Sequence, residues 1–385
     1  EIILSEKIGI PRSLLYYYYY PAWEEFFNQL GYEVVLSPKT NKKILDDGVR
    51  LAVDDLCLPF KVYFGHVKWL LDRVDFIFIP RLIGFGKQNR FCPKFMGLPD
   101  MIKSVFADKT LPRIIEPVIE NKGSLFPFRN ISHDLGSKLG FNFFQIEKAY
   151  WKALEQQKNF DSLKKSNYTC REAIELIANR DILDTNSRNT SITKTNNKVA
   201  DRKNKNNNDS NRKEKDIYDT DKKGLYTLKK SQDVKNDILN KGLTVVLLGH
   251  SYILNDKFMS MGIFEHLDEM GVQYITTEML DEKKIEKAAL TEGKPSFWYF
   301  NRHILGTAYY YLNNDHIKST IDGFIQVTAF GCGPDSLISQ LIDLKGKSEK
   351  DISILNINLD EHSGQAGLKT RLEAFIDLLE RRKGA

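Results

Sequence analysis

The chain has 385 residues, of which 42% are hydrophobic and 28% charged, with four cysteines and a formal net charge of +5. Such a length suits about two to three domains, and this apolar content excludes a chain that is disordered throughout. No apolar run reaches the roughly 18 residues of a membrane helix, the start Glu1-Ile2-Ile3-Leu4 does not read as a secretory signal, and four cysteines do not make a disulfide scaffold, so a reducing cytoplasm is expected.

In chain order, Lys7-Ile10 reads as a strand and Ser13 to Leu30 as a helix opening just after Pro11. Tyr32-Leu36 reads as a strand, Phe60 to Leu71 as a helix, Asp75-Pro80 as a strand and Arg113-Ile119 as a further one. Residues 150–182 look helical and would bridge the two halves. In the second half, strands are expected at Leu243-Leu248, Val272-Thr276, Gly323-Thr328 and Ile352-Ile357. Helices are expected at Lys257-Met270, Phe297-Leu312, Asp335-Leu344 and Gln365-Arg382. Strands separated by helices imply crossovers and mainly parallel sheets, so the expected fold class is α/β. The expected division is an N-terminal α/β domain (1–149), a helical connection (150–184), an Asn/Lys-rich disordered insertion (185–240) and a C-terminal α/β domain (241–385).

The basic charge has a local origin. From Thr185 to Lys215 there are nine Lys/Arg and three Asp/Glu, a net of +6 against +5 for the whole chain, so the rest sums to −1. The same stretch holds nine Asn and almost no large apolar residues, and it cannot bury enough surface to offset the entropy of ordering. No basic and aromatic residues interleave elsewhere, so nucleic acid is not indicated as a partner. The five tyrosines Tyr16 to Tyr20 would point all round a helix, into the core and outward, rather than forming one stacking platform.

Three of the four cysteines share a setting: Cys57 in Cys-Leu-Pro, Cys92 in Cys-Pro-Lys, Cys332 in Cys-Gly-Pro-Asp. Each precedes a proline and a helix-compatible stretch, so each is expected near a helix start, where free N–H groups and the dipole favour a thiolate. Glycines flank Cys332, which lets the backbone turn tightly at the carboxyl end of a strand, the place where open α/β sheets bind ligands. Cys170 sits in ordinary helical sequence. The spacings, 35 and 240 residues, contain no CxxC pair, which argues against a ribbon-type zinc site. On residues alone a 4Fe–4S cluster, buried structural thiols, and a catalytic thiol or zinc all remain open.

Other polar residues also fall at strand ends. His250 and the Glu361-His362 pair are candidate catalytic, proton-handling groups. Arg12 and Arg81, each in an Ile-Pro-Arg tripeptide, and His66 are candidate substrate contacts, the arginines for a carboxylate, thioester or phosphate. Capping and domain-interface salt bridges are the alternative for each. No P-loop, dinucleotide fingerprint or nucleophile elbow is found in the sequence.

Several runs, taken together and in this order, resemble the 2-hydroxyacyl-CoA dehydratase iron–sulfur superfamily, nearest its activase-related, dehydratase D-component-like branch. They are Ile8-Gly-Ile-Pro-Arg-Ser-Leu-Leu-Tyr-Tyr, Asp54-Asp-Leu-Cys-Leu-Pro-Phe-Lys with Gly65-His66, Phe91-Cys-Pro-Lys-Phe-Met-Gly-Leu-Pro-Asp100, Gly249-His-Ser-Tyr252, Phe330-Gly-Cys-Gly-Pro-Asp335 and Asp360-Glu-His-Ser-Gly-Gln-Ala-Gly-Leu-Lys-Thr-Arg-Leu-Glu-Ala374. The resemblance implies two flavodoxin/Rossmann-like domains with a 4Fe–4S cluster in the cleft between them and Cys57, Cys92 and Cys332 as its ligands. It implies electrons of low potential from a separate ATP-dependent activator, a homo- or heterodimer, and reductive or radical chemistry on an acyl-CoA or other small molecule, such as dehydration of a 2-hydroxyacyl-CoA. An iron–sulfur electron relay or partner of the activase, without catalysis, is the alternative. The activator's own nucleotide-binding domain does not appear in this sequence.

Overall fold

Short runs of Ile, Val, Leu and Phe form the strands, and the central ones, Lys7–Ile10, Phe76–Phe78, Thr244–Leu248 and Gly323–Ala329, are buried along most of their length, as sheets covered by helices on both faces require. The computed structural model describes residues 5–85, 89–121, 128–179, 242–291, 296–348 and 352–384. In the first half β1 (Lys7–Ile10), β2 (Glu33–Leu36) and β3 (Phe76–Phe78) lie parallel. A separate small sheet follows, made of β4 (Arg81–Phe85), antiparallel β5 (Asn89–Arg90) and, after β6 (Arg113–Ile115), the parallel β7 (Val118–Asn121). The strand β6 joins the main sheet, whose order is β2-β1-β3-β6. The second half contains β8 (Thr244–Leu248), β9 (Gln273–Thr276), β10 (Gly323–Ala329) and β11 (Ser353–Leu359), all parallel, in the order β9-β8-β10-β11.

Both main sheets therefore run second, first, third, fourth, the doubly wound flavodoxin-like order, and the protein is an α/β fold with mainly parallel sheets. In this order the chain reverses direction across the sheet between β1 and β3, and between β8 and β10. The loops after those strands diverge and open a crevice at each carboxyl edge. A single cluster of buried apolar side chains runs through both halves, and a second one fills the far side of the second sheet.

Two helices in the first half meet at backbone distance. A Cβ added to Gly48, on helix Lys42–Leu51, would lie 1.9 Å from the carbonyl oxygen of Lys61, and one added to Gly65, on helix Leu58–Leu70, 1.9 Å from that of Ile44. Only glycine permits this crossing, and it fixes the helix that Cys57 begins. Helix Phe143–Lys165, opened by a capping box between Asn142 and Gln145, packs along helix Tyr16–Gln29; the helix expected over 150–182 then breaks at 166–169, where Asn167 takes a left-handed φ of 66°, and residues 170–179 form a new helical stretch.

Three further expectations are corrected. The helix expected over Lys257–Met270 is confined to Ile263–Glu269, because Met261 and Gly262 adopt left-handed φ angles of 53° and 73° that no helix can pass through. Arg113–Ile119 is two strands, β6 and β7, that enter different sheets. None of the tyrosines is fully exposed: Tyr16, Tyr17 and Tyr20 are buried and Tyr18 and Tyr19 half-buried, because their helix is covered by helix Phe143–Lys165 and by the second half. The Asn/Lys-rich insertion expected at 185–240 lies outside the described residues. Among the described residues no helix is long and apolar enough to cross a membrane.

Candidate functional site

Cys57 is the N-cap of helix Leu58–Leu70, with Pro59 in its first turn, and Cys92 is the N-cap of the short helix Pro93–Met96. Cys332 immediately precedes helix Gly333–Ser348, at the carboxyl end of β10. Proline pre-sets the first helical turn and lacks the N–H that would be unsatisfied there, which is why all three segments start a helix directly after the cysteine. The loops then converge. Gly331 takes a left-handed φ of 76°, and a Cβ on it would lie 3.5 Å from Cys57 Cα, so the Cys332 loop rests on the Cys57 loop. Lys94, two residues after Cys92, donates from Nζ to the Gly331 carbonyl at 3.2 Å and ties the third cysteine segment to the other two. Cys57 is buried, and Cys92 and Cys332 are half-buried.

The thiols feel one another electrostatically. Burial pushes the Cys57 thiol up, Lys94 pulls it down, and neighbouring Cys92 pushes it up again. Burial likewise raises Cys92, opposed by Lys94. Cys332 is raised furthest, by burial, then by the Asp335 carboxylate and by Cys57. Desolvation by burial is the largest influence on each of the three thiols and raises all of them, opposing the help that a helix start gives a thiolate.

His250 follows β8 and caps helix Ser251–Leu254, with its ring stacked on Tyr252 at a centroid distance of 4.7 Å. Its Nε2 lies 2.8 Å from Asp335 Oδ1, and Asn301 Nδ2 donates to the same oxygen at 2.6 Å. All three residues are at least 97% buried, and His250 Nδ1 carries no hydrogen bond. The ligand atoms of His250, Cys332 and Asp335 lie within 4.8 Å of one another, a set able to hold a metal ion. Phe91, Phe95, Tyr252 and Phe300 pack edge to face behind these residues and form an apolar wall.

The other residues singled out in the sequence are dispersed. His66 is fully buried, bonded through Nε2 to Thr40 Oγ1 at 3.0 Å, and burial followed by the Arg12 charge holds its pKa down at about 3. Arg12 lines a separate cleft of about 450 Å³ with Tyr16, Lys39, Arg171 and Asp256, its Nε donating to the Ser37 carbonyl. Arg81 is engaged in a bidentate pair with Asp100, a contact to Glu116 and a bond to the Met96 carbonyl, so its guanidinium acts as an internal clamp rather than an open anion contact. Glu361 accepts from Lys61 Nζ at 2.6 Å in an ion pair with little exposure, and His362 beside it faces solvent. Cys170 is buried against Ser251 and pushed up to about 12 by burial.

Sequence reasoning gave no role to Lys94, Asp335, Asn301 or Lys61. Lys94 and Asp335 carry a readable signal, since each stands within three residues of a cysteine at a helix start. Asn301 and Lys61 carry none, because their relation to the site exists only across the tertiary fold.

A doubly wound α/β protein with three cysteines gathered at helix starts is the class that fold and site define. Residues 7–280 match the family model described as "CoA enzyme activase uncharacterised domain (DUF2229)", and the chain belongs to that family. The match includes Cys57, Cys92 and His250 and ends before Cys332. No curated protein matches the chain.

Proposed function

We propose that this chain is an iron–sulfur component acting with an ATP-dependent activator of CoA enzymes, in which Cys57, Cys92 and Cys332 hold a 4Fe–4S cluster that accepts low-potential electrons. The observation that carries the reading is the convergence of three segments, from both halves of the chain, each presenting a thiol at a helix start around Lys94. Soft thiolate donors suit iron–sulfur clusters, and thiols raised by burial are the kind that a cationic metal centre stabilises by displacing their protons. A cluster held this way supplies one-electron transfer. The protein's part is to hold the sulfurs in place, to exclude water with the Phe91–Phe95–Phe300 wall, and to offset thiolate charge with Lys94.

Two uses of that electron are compatible with this reading: reduction or dehydration of an acyl-CoA, or simple relay to a partner enzyme. A specific observation favours the relay. The cleft of about 520 Å³ that adjoins His250 is bordered by Asp161, Glu278, Asp281, Glu282 and Glu286 against three lysines, and such a lining repels an anionic CoA thioester.

Anaerobic purification with iron and sulfide analysis tests the proposal. The wild type and Cys170→Ser should carry about four irons and matching sulfide per chain, and Cys332→Ser should lose most of both. Equal iron loss from the two variants, or zinc without sulfide in the wild type, sinks it. Adding activator, ATP, reductant and a panel of hydroxyacyl-CoA thioesters then separates the two uses, since a relay gives no turnover.

A further inference from the structure

Arg12 stands two residues past the end of β1, at the carboxyl edge of the first sheet, where α/β folds take their ligands. Its side chain is locked in place. The backbone N–H donates to Ser37 Oγ at 2.8 Å, Nε donates to the Ser37 carbonyl at 3.1 Å, and the guanidinium carbon lies 5.5 Å from the centre of the Tyr16 ring. Nε is thereby occupied, while Nη1 and Nη2 meet no acceptor and no carboxylate among the described residues. The cleft of about 450 Å³ that Arg12 lines holds three further cations, and each of them is paired: Lys39 with Glu175 at 3.1 Å, Arg171 with Glu265 at 2.9 Å and Lys257 with the same Glu265 at 3.2 Å. The remaining acid, Asp256, is engaged by its own neighbours, accepting at Oδ1 from the N–H groups of Phe258 and Met259 and at Oδ2 from the Thr40 hydroxyl. Four cations against three acids give the lining a net charge of 4 − 3 = +1, and the cation without a partner is Arg12. Arg81 follows the same Ile-Pro-Arg tripeptide, but there Asp100 fills both Nη groups. The fold brings a carboxylate to Arg81 and leaves an open cleft at Arg12.

We infer that this cleft is a second ligand site, separate from the cysteine centre and independent of the cluster reading, and that it takes a small monocarboxylic acid held end-on by Arg12 Nη1 and Nη2. A fixed fork of two N–H donors matches the two oxygens of a carboxylate, and fixing Nε beforehand leaves little side-chain freedom to lose on binding. The single uncompensated charge suits a monoanion; a phosphate dianion would leave one charge unmatched in a half-enclosed site. Leu36, Ile174 and Phe258 line the same cleft and give an apolar body something to cover. Arg12 and Lys39 come from the first half and Asp256 and Phe258 from the second, so a bound acid touches both halves.

The test uses the full chain and two readouts, neither of which needs a metal, so its failure and the failure of the cluster reading are told apart. In the first, phenylglyoxal modifies open guanidinium groups and mass spectrometry locates them. Arg12 should react about tenfold or more faster than Arg81, whose fork is closed by a carboxylate. Millimolar hexanoate should protect Arg12, and neutral hexanamide or inorganic phosphate at equal ionic strength should protect it far less. In the second, calorimetry follows hexanoate binding to the wild type, Arg12→Gln and Arg12→Lys. Binding should weaken by about tenfold or more in Arg12→Gln and by less in Arg12→Lys, which keeps the charge but not the fork. An Arg12 as unreactive as Arg81, equal protection by hexanamide or by phosphate, or wild-type affinity in Arg12→Gln each overturns the inference. Should Arg12→Gln fail to fold, the labelling and protection of the wild type decide the matter.

Discussion

Lys94 and Gly331 are joined by a 3.2 Å hydrogen bond although 237 residues separate them in the sequence. The bond closes the seam between the Cys92 helix and the Cys332 turn, and it leaves an ammonium group that pulls down the Cys57 and Cys92 thiols fixed beside them. Position and charge are thus set by one side chain.

Removing that charge should be measurable at the thiols. In metal-free Lys94→Met, alkylation of half-buried Cys92 near pH 8 should slow by a few-fold, because less of it is thiolate. In iron-loaded protein the reduction potential should fall by tens of millivolts, since a nearby cation favours the more negative reduced state. Unchanged alkylation kinetics would show that Lys94 does not govern these sulfurs.

The ion pair of Lys61 and Glu361 joins the helix after Cys57 to the loop after β11, with side-chain exposures of 6% and 18%. Lys61→Met alone leaves a poorly hydrated carboxylate and should cost about 2–4 kcal/mol in urea denaturation. The double variant Lys61→Met/Glu361→Leu should recover most of that loss. Additive losses in the double variant would refute the pairing.

At Gly65 a methyl group has no room. Gly65→Ala should destabilise the protein by about 3 kcal/mol and, by forcing helix Leu58–Leu70 away from helix Lys42–Leu51, should also weaken metal retention at Cys57. Gly140→Ala serves as the control for backbone strain, because Gly140 has a φ of 89° with nothing within 4 Å of an added Cβ. Thermal melts and iron content of the two variants distinguish a packing clash from loss of backbone freedom.

His66 makes stability depend on pH. Its folded-state pKa near 3 lies below the roughly 6.5 of an unfolded chain, so the native state cannot take up the proton that the unfolded state binds. Stability from this group is complete above about pH 6.5 and is lost as pH falls toward 3, by up to about 1.4 kcal/mol per pH unit. Denaturation midpoints between pH 7 and 4 should fall in the wild type and fall less steeply in His66→Gln. Parallel slopes would show that the buried imidazole is not responsible.

Period and punctuation in the sequence identified most strands and the α/β class, because parallel-sheet strands and amphipathic helices are local patterns. They failed at Met261 and Gly262, where left-handed backbone interrupts a run whose composition is helical. At Arg81 an Ile-Pro-Arg tripeptide resembling that of Arg12 ends in ion pairs with Asp100 and Glu116, the salt-bridge alternative that the sequence left open. The two arginines share sequence context and differ in the carboxylates that the fold brings to them.

By itself the sequence determined that three cysteines stand at helix starts, since a proline just inside a helix is a rule of local backbone geometry. What the tertiary structure decided is that these starts meet, that Lys94 reaches Gly331, that Asn301 and His250 hold Asp335, and that burial raises the thiols. Those outcomes depend on distances between residues tens to hundreds of positions apart and on how much water remains around them, and no local pattern encodes either quantity.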